Sequence, residues 1–165
     1  VILHISEACP KKRYVFLVRL IGMACLSPRL RILVELMLDF VDDENTKYSI
    51  SKLEDFIENK NNYGFIAKLN NKIVGFAFGY ILLKPDGRKI FYLDAIDIMP
   101  EYQGKGYGTG LISFARDYAK SIECNKMYLI TNKSNISACK CYEKAGGRNK
   151  ADDEIVYVYN FKENG

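Results

Sequence analysis

The spacing of the apolar positions changes several times along the chain, and each change predicts a new element. Residues 14–20 form an apolar, β-rich run that predicts a strand. Ser27 and Pro28 then provide an N-cap and a proline at the first helical position. The helix that follows has apolar residues at helical spacing, namely Leu30, Leu33, Val34, Met37, Leu38 and Val41. A second, short helix is predicted over residues 52–58.

The middle of the chain predicts an antiparallel meander of three strands. Residues 64–69 and 72–83 have the composition of strands, and Asn70-Asn71 between them tolerates the positive φ angles of a tight hairpin turn. Pro85-Asp86-Gly87 predicts a second turn. Residues 89–99 form the fourth predicted strand of the chain.

Beyond residue 100 the pattern alternates between helix and strand. A glycine-rich stretch opens a helix whose apolar face consists of Leu111, Phe114, Ala115, Tyr118, Ala119 and Ile122. Residues 126–131 predict a fifth strand, Asn135 caps a helix that ends at Gly146-Gly147, and residues 154–161 predict a strand that closes the sheet. This order predicts the α+β class, with a mixed, mostly antiparallel sheet.

The composition and charge of the chain limit the classes of function that it can have. The 165 residues are 48% hydrophobic and 27% charged, which is typical of one globular domain. The net charge of +4 is uneven, because residues 35–58 hold eight acids and two bases. The Lys and Arg residues elsewhere are scattered, and the chain lacks zinc-finger spacing and an RNA-binding aromatic signature. We therefore expect no nucleic-acid partner.

The cysteines and the N-terminal segment bear on location. Five cysteines form an odd set without a C-x-x-C pair, which favours reduced thiols, a cytoplasmic protein and no metal site. Residues 11–27 have the outline of a basic leader followed by an apolar run, but Arg19 divides that run. Neither half approaches the roughly 20 apolar residues of a membrane span. A strand followed by a turn is the preferred interpretation, a secretion leader the alternative, and no membrane partner is expected.

The sequence Gln103-Gly104-Lys105-Gly106-Tyr107-Gly108-Thr109-Gly110 lies between a predicted strand and a predicted helix. Glycines let backbone N–H groups approach a ligand closely, and a helix N-terminus adds partial positive charge, so this loop is a candidate phosphate cradle, with Lys105 adding a full charge. The dinucleotide fingerprint G-x-G-x-x-G does not fit, because its third glycine falls on Thr109 or Leu111. A Walker A loop does not fit either, because no Gly-Lys here precedes Ser or Thr.

The spacing that does fit is Q-x-x-G-x-G, formed by Gln103, Gly106 and Gly108. It resembles the pyrophosphate-binding motif of the GNAT superfamily of N-acetyltransferases. The resemblance continues through LDAIDIMPEYQGKGYGTGLI, residues 93–112, and through NISACKCYEKAG, residues 135–146. The predicted order of elements resembles that family from residue 14 to residue 161.

The resemblance implies a single acetyltransferase domain over residues 1–165, with residues 1–12 peripheral. It implies six to seven strands flanked by about four helices, with the fourth and fifth strands splayed apart. The implied co-substrate is acetyl-CoA, and no metal is required. The implied cofactor-binding residues are Ile96, Asp97 and Ile98 through their backbone, then Gln103, Gly104, Lys105, Gly106, Tyr107, Gly108 and Thr109, and finally Asn135.

Two residues are implied to be catalytic. Alternation along the fourth predicted strand puts Asp94 on one face with Tyr92, Ile96 and Ile98, and the resemblance makes Asp94 the candidate base. The alternative is that Asp94 only attracts a cationic amine or orders a water. Tyr142 follows Asn135 by seven residues, as the family's thiolate-protonating Tyr does; the alternative is a packed Tyr.

Asp97 departs from the family, which commonly has a small or apolar residue there, and the sequence offers no account of it.

The sequence predicts the acceptor amine less specifically than it predicts the co-substrate. Phe40, Tyr48 and the segment GYILLKPDGRKIFYLD resemble the GNAT-type aminoglycoside 3-N-acetyltransferases. The acidic cluster within residues 35–58 would attract a cation, although a solvated helix face is the equal alternative. The expected partner is a small-molecule amine, an aminoglycoside or another cationic molecule. A protein or peptide amine and a non-catalytic acyl-CoA-binding module stay open, and so does the choice between a monomer and a homodimer.

Overall fold

The computed structural model describes residues 2–6, 14–19, 50–70, 72–149 and 156–159. Six described strands form one sheet, in which the spatial order follows the chain order. The strands are β1 (Ile2–Ser6), β2 (Tyr14–Arg19), β3 (Asn62–Leu69), β4 (Lys72–Leu83), β5 (Lys89–Ile98) and β6 (Lys126–Tyr128). The described α-helices are α1 (Ile50–Glu58), α2 (Tyr107–Ser121) and α3 (Ile136–Lys144).

The sheet is mixed, as the sequence predicted. Strands β1 to β5 pair with their neighbours in antiparallel fashion, and β6 lies parallel to β5 because α2 carries the chain back across the sheet. Asn70 has a φ of 49°, which is the left-handed conformation expected of the β3–β4 turn. Gly87 has a φ of 84° in the β4–β5 turn. A hydrogen bond from the Lys84 amide to the Arg88 carbonyl, 2.8 Å long, closes this turn. Both predicted hairpins are confirmed.

One face of the sheet packs against α2. The buried core includes Phe65 on β3, Phe91 and Leu93 on β5, and Leu111 on α2, all of which are at most 2% exposed. Phe65 packs edge-on against Phe114 of α2, with ring centroids 6.1 Å apart. Fully burying one such side chain stabilises the fold by about 1.5–3 kcal/mol. The apolar face predicted for this helix is therefore the one that holds it to the sheet.

A β-bulge interrupts the alternation of side chains in β5. Phe78 on β4 pairs with Ala95, and the next residue, Gly79, pairs with Leu93, so Asp94 is the extra residue. The bulge shifts the side chains beyond it by one position. The expectation that Tyr92, Asp94, Ile96 and Ile98 share one face is therefore wrong: Ile96 and Ile98 pack with the α2 core, whereas Tyr92 stacks on Tyr80 on the opposite face.

The structure also differs from the sequence expectations for the first strand, for β6 and for the last predicted strand. Ile2–Ser6 forms the edge strand β1, in a region to which the pattern assigned no element. Strand β6 ends at Tyr128, earlier than the predicted residue 131. Residues 156–159 are not in a strand and are 66–77% exposed, although their alternation predicted one. A strand needs a hydrogen-bonded neighbour as well as propensity, and no described strand pairs with this segment. The helix predicted from residue 28 lies outside the described residues.

Candidate active site

The candidate site begins where β5 and β6 separate. Their parallel register covers Ile90–Tyr92 and Lys126–Tyr128 only, whereas β5 continues to Ile98. Beyond Tyr92, β5 pairs with β4 on one side, and no strand among the described residues pairs with its other side, which we call the open edge. This opening is the geometry expected of the splayed strands.

The direction of each backbone group in this part of β5 follows from its pairing. Met99 donates its amide to the Val74 carbonyl at 3.0 Å. Hydrogen-bonded pairs alternate along an antiparallel ladder, so Asp97, paired with Phe76, also directs its backbone groups toward β4. The amides of Ile96 and Ile98 point the other way, to the open edge. They are the backbone donors that a ligand in the opening would meet.

A tight turn and a glycine loop follow β5. Pro100–Tyr102 forms a 3-10 turn, and the loop then passes through Gly104 and Gly106, whose φ angles are 69° and 85°. L side chains rarely adopt such positive φ angles. Gly106 is the N-cap of α2 and has no side-chain cap, so the first amides of the helix, from Tyr107 onward, are left without intrahelical acceptors. This arrangement fits a phosphate.

The side chains of the loop mostly contact the protein itself. Lys105 donates from Nζ to the Glu101 carbonyl at 2.7 Å, so its charge lies beside the 3-10 turn. The Tyr107 ring packs edge-on against that of Tyr102, with centroids 6.0 Å apart. Thr109 Oγ1 lies 3.4 Å from the Sγ atom of Cys141 on α3. The loop therefore presents backbone rather than side chains to a ligand.

Helix α3 carries two of the predicted residues. Asn135 is its N-cap, and its Oδ1 accepts the Ala138 amide at 3.1 Å, as the sequence predicted for a cap. Tyr142 packs partly against the core. Burial raises the pKa of the Tyr142 phenol, the neighbouring Cys141 thiol raises it further, and a side-chain hydrogen bond with Thr131 opposes the shift.

Asp94 is exposed at the bulge, on the Tyr92 side of the sheet. Burial raises the pKa of Tyr92, and a side-chain hydrogen bond to the Asp94 carboxylate raises it further. The Tyr92 ring stacks on Tyr80 at 6.4 Å and on Tyr128 at 5.0 Å. Sequence reasoning missed this row of tyrosines across β4, β5 and β6. Their β-propensity was visible, but the register that aligns them was not.

No group of three or more His, Cys, Asp or Glu side chains in the described ranges is arranged to hold a metal ion. Among the same residues, no helix has the length and apolar composition needed to cross a bilayer.

Together, the mixed sheet opened at β5 and the glycine loop at the start of α2 form one candidate binding site for a phosphate-containing ligand. Residues 29–147 match the model of the Acetyltransferase (GNAT) family, which is more than half of the chain. The chain therefore belongs to the GNAT acetyltransferase family.

Individual curated relatives match the chain over only part of its length. The chain is 27% identical over 90 residues to the thialysine N-epsilon-acetyltransferase of Mus musculus, which covers 54% of this chain and 53% of the mouse enzyme. It is 44% identical over 52 residues to the spermidine N(1)-acetyltransferase of Escherichia coli K12, covering 31% of this chain and 28% of that enzyme. The chain thus spans about half, or less, of the curated relatives it matches.

Solved structures have the same fold. An aminoglycoside acetyltransferase from an uncultured soil metagenomic sample, in complex with sisomicin, superimposes with a TM-score of 0.64 and 21% sequence identity. The match covers 82% of this chain and 87% of that one. At this identity the likeness establishes the fold alone.

Proposed function

We propose that this protein transfers the acetyl group of acetyl-CoA to a primary amine of a cationic small molecule. The observation that carries the proposal is the open edge of β5 lying next to the glycine loop that begins α2. An acyl thioester can lie along the edge while its pyrophosphate meets the helix start. Family membership and the named substrates of the relatives, thialysine and spermidine, support an amine as the acceptor.

The co-substrate is assigned to backbone groups. The amides of residues 104–109 take the pyrophosphate, and those of Ile96 and Ile98 take the acetyl carbonyl and the pantetheine arm. Asn135 uses its Oδ1 to cap α3, so its contribution to the pantetheine comes from the Nδ2 atom. The backbone of Asp97, which sequence reasoning included in this set, is directed toward β4 and is left out of the proposed contacts.

The proposed reaction is a direct attack of the acceptor amine on the acetyl group of acetyl-CoA. Asp94 takes a proton from the ammonium of the acceptor, and the free amine attacks the acetyl carbonyl carbon. A C–N bond forms, and the carbonyl oxygen becomes an oxyanion held by amides on the open edge. The C–S bond then breaks, and Tyr142 donates a proton to the departing sulfur. The second proton of the attacking nitrogen passes to the Tyr142 phenolate, directly or through water, which leaves a neutral amide, and the Asp94 carboxyl releases its proton to solvent. An ordinary phenol is already protonated at neutral pH, and burial raises the pKa of Tyr142 further, so its proton is available when charge develops on the sulfur.

A thiol-release assay tests the proposal. The protein is incubated with acetyl-CoA and, in separate reactions, with aminoglycosides, polyamines and peptides. Thiol release with an aminoglycoside or a polyamine is the expected result. Turnover of peptides alone would make the protein a peptide or protein acetyltransferase, and CoA binding without thiol release would make it an acyl-CoA-binding module.

Replacement of Asp94 with Asn tests the base. Without the carboxylate, we expect kcat/KM for the amine to fall about 100-fold at pH 7. Tyr92→Phe is the matched control, because it removes a neighbouring hydroxyl but keeps the carboxylate. If Asp94→Asn raises only the amine KM, Asp94 attracts the substrate without accepting its proton.

The acidic segment, residues 35–58, gives a salt-dependence prediction. Within it, Asp55 and Glu58 are exposed in α1. If several carboxylates attract the acceptor over a distance, salt weakens that attraction, since the Debye length is about 8 Å at physiological ionic strength. We expect the amine KM to rise severalfold with salt and the acetyl-CoA KM to change less. The triple variant Asp42→Asn, Asp43→Asn, Glu44→Gln should raise the amine KM at low salt. If the amine KM does not change with salt concentration in either protein, the acidic side chains of this segment do not attract the acceptor and only face solvent.

A further inference from the structure

The Ile98 peptide on the open edge of β5 is already hydrogen-bonded within the chain. Its amide donates to Oδ1 of Asp97 at 2.7 Å. Its carbonyl accepts from Nε2 of Gln103, the first residue of the glycine loop motif, at 2.8 Å. Neither bond belongs to the ladder with β4, because the Met99–Val74 bond directs the Ile98 groups away from that strand.

The bond from the amide to Asp97 has a consequence for binding. Extended ligands that lie along a strand edge pair with its outward amides and carbonyls. A carboxylate is a stronger acceptor than a ligand amide carbonyl or water. A ligand that needs the Ile98 amide must therefore displace the Asp97 carboxylate first, and its affinity is reduced by that competition.

We infer that Asp97 is a positioning residue that limits the affinity of this site for acetyl-CoA by holding the Ile98 amide until the pantetheine arm replaces it. The inference rests on the proposed function, because it takes acetyl-CoA as the ligand of the open edge. It gives a role to the one strand residue that departs from the family's small or apolar residue. The carboxylate keeps a backbone donor oriented and satisfied in the ligand-free protein, and the ligand gains that donor only in exchange for the bond to Asp97.

Calorimetric titration of the parent, Asp97→Asn and Asp97→Ala with acetyl-CoA tests the inference. Ala leaves only water to compete for the amide, so we expect about tenfold tighter binding of acetyl-CoA. Asn keeps a neutral acceptor at the same position, so its affinity should fall between those of the parent and the Ala variant. The second ligand is 3′,5′-ADP, which lacks the pantetheine arm and the phosphate that joins it, and which should bind equally to all three proteins.

These comparisons distinguish competition for the Ile98 amide from a long-range effect of the Asp97 charge. Asn and Ala both remove the negative charge, but only Ala removes the acceptor. Equal tightening in the two variants, or tightening for 3′,5′-ADP as well, would make the effect one of charge and overturn the inference. Unchanged or weaker acetyl-CoA binding by Asp97→Ala would also overturn it. If the parent binds neither acetyl-CoA nor 3′,5′-ADP, the proposed function itself fails.

Amide hydrogen exchange gives a readout that is independent of any ligand. The Ile98 amide should exchange slowly in the ligand-free parent, because it is hydrogen-bonded, and faster in Asp97→Ala. The Met99 amide, which is bonded to β4, is the internal control and should exchange at the same rate in both proteins. Unchanged Ile98 exchange would show that Asp97 does not hold this amide, and faster Met99 exchange would indicate a general loosening of the strand.

Discussion

Replacement of Gly106 with Val should abolish measurable binding of CoA. Gly106 caps α2 with a φ of 85°, a conformation in which a β-branched residue is strained. Its Cβ and two methyl groups would also occupy the loop that is proposed to lie against the pyrophosphate. We expect the Kd for CoA, measured by calorimetry, to rise at least ~100-fold. Removing several charge-assisted bonds to the phosphates at once accounts for that size.

Gly87→Val is the matched control for backbone strain. Gly87 has a φ of 84°, almost the same as Gly106, and an added Cβ there meets nothing within 4 Å. It lies in the β4–β5 turn rather than in the glycine loop. Each substitution should cost about 1–3 kcal/mol of stability and lower Tm by several degrees, but only Gly106→Val should lose CoA. Parent-like CoA affinity in a folded Gly106→Val would remove the basis of the proposed function.

Local sequence signals account for the elements that were predicted correctly. The two hairpins follow from turn residues, Asn70 and Gly87, that accept positive φ angles without help from the rest of the fold. Helices α2 and α3 follow from apolar spacing and from caps, and Asn135 forms the expected hydrogen bond to the third residue of its helix. These signals act over a few residues, so one sequence is enough to detect them.

What the sequence could not predict depends on contacts between strands. The bulge at Asp94 is a property of the β4–β5 register, and without it simple alternation assigned Ile96 and Ile98 to the wrong face. The stack of Tyr80, Tyr92 and Tyr128 depends on the same alignment. Asp97 looked anomalous until the direction of the Ile98 amide was known. Each of these features lies at the opening of the sheet, where regular pairing ends and the proposed chemistry takes place.

Replacement of Tyr142 with Phe should slow the reaction and leave CoA binding intact. The substitution removes the hydroxyl but keeps the ring that packs against the core. If this hydroxyl protonates the departing sulfur, kcat should fall about 10²–10⁴-fold, the range typical of general acid catalysis. Steady-state kinetics with saturating acetyl-CoA measures the loss, and calorimetry should give a parent-like Kd for CoA.

The pH dependence and a second Tyr variant decide whether the hydroxyl of Tyr142 acts as an acid. Burial raises the pKa of Tyr142, so the phenol stays protonated at neutral and moderately alkaline pH. The midpoint of the loss of kcat through its ionisation should therefore lie above the ordinary phenol value of about 10, and Tyr142→Phe should lack that limb. Tyr118→Phe is the control for packing, because Tyr118 lies against Tyr63 and Phe65 on the core side of α2. Its kcat should match that of the parent. Equal losses in the two variants would make Tyr142 a packing residue and would leave protonation of the sulfur to water or to another group at the opening.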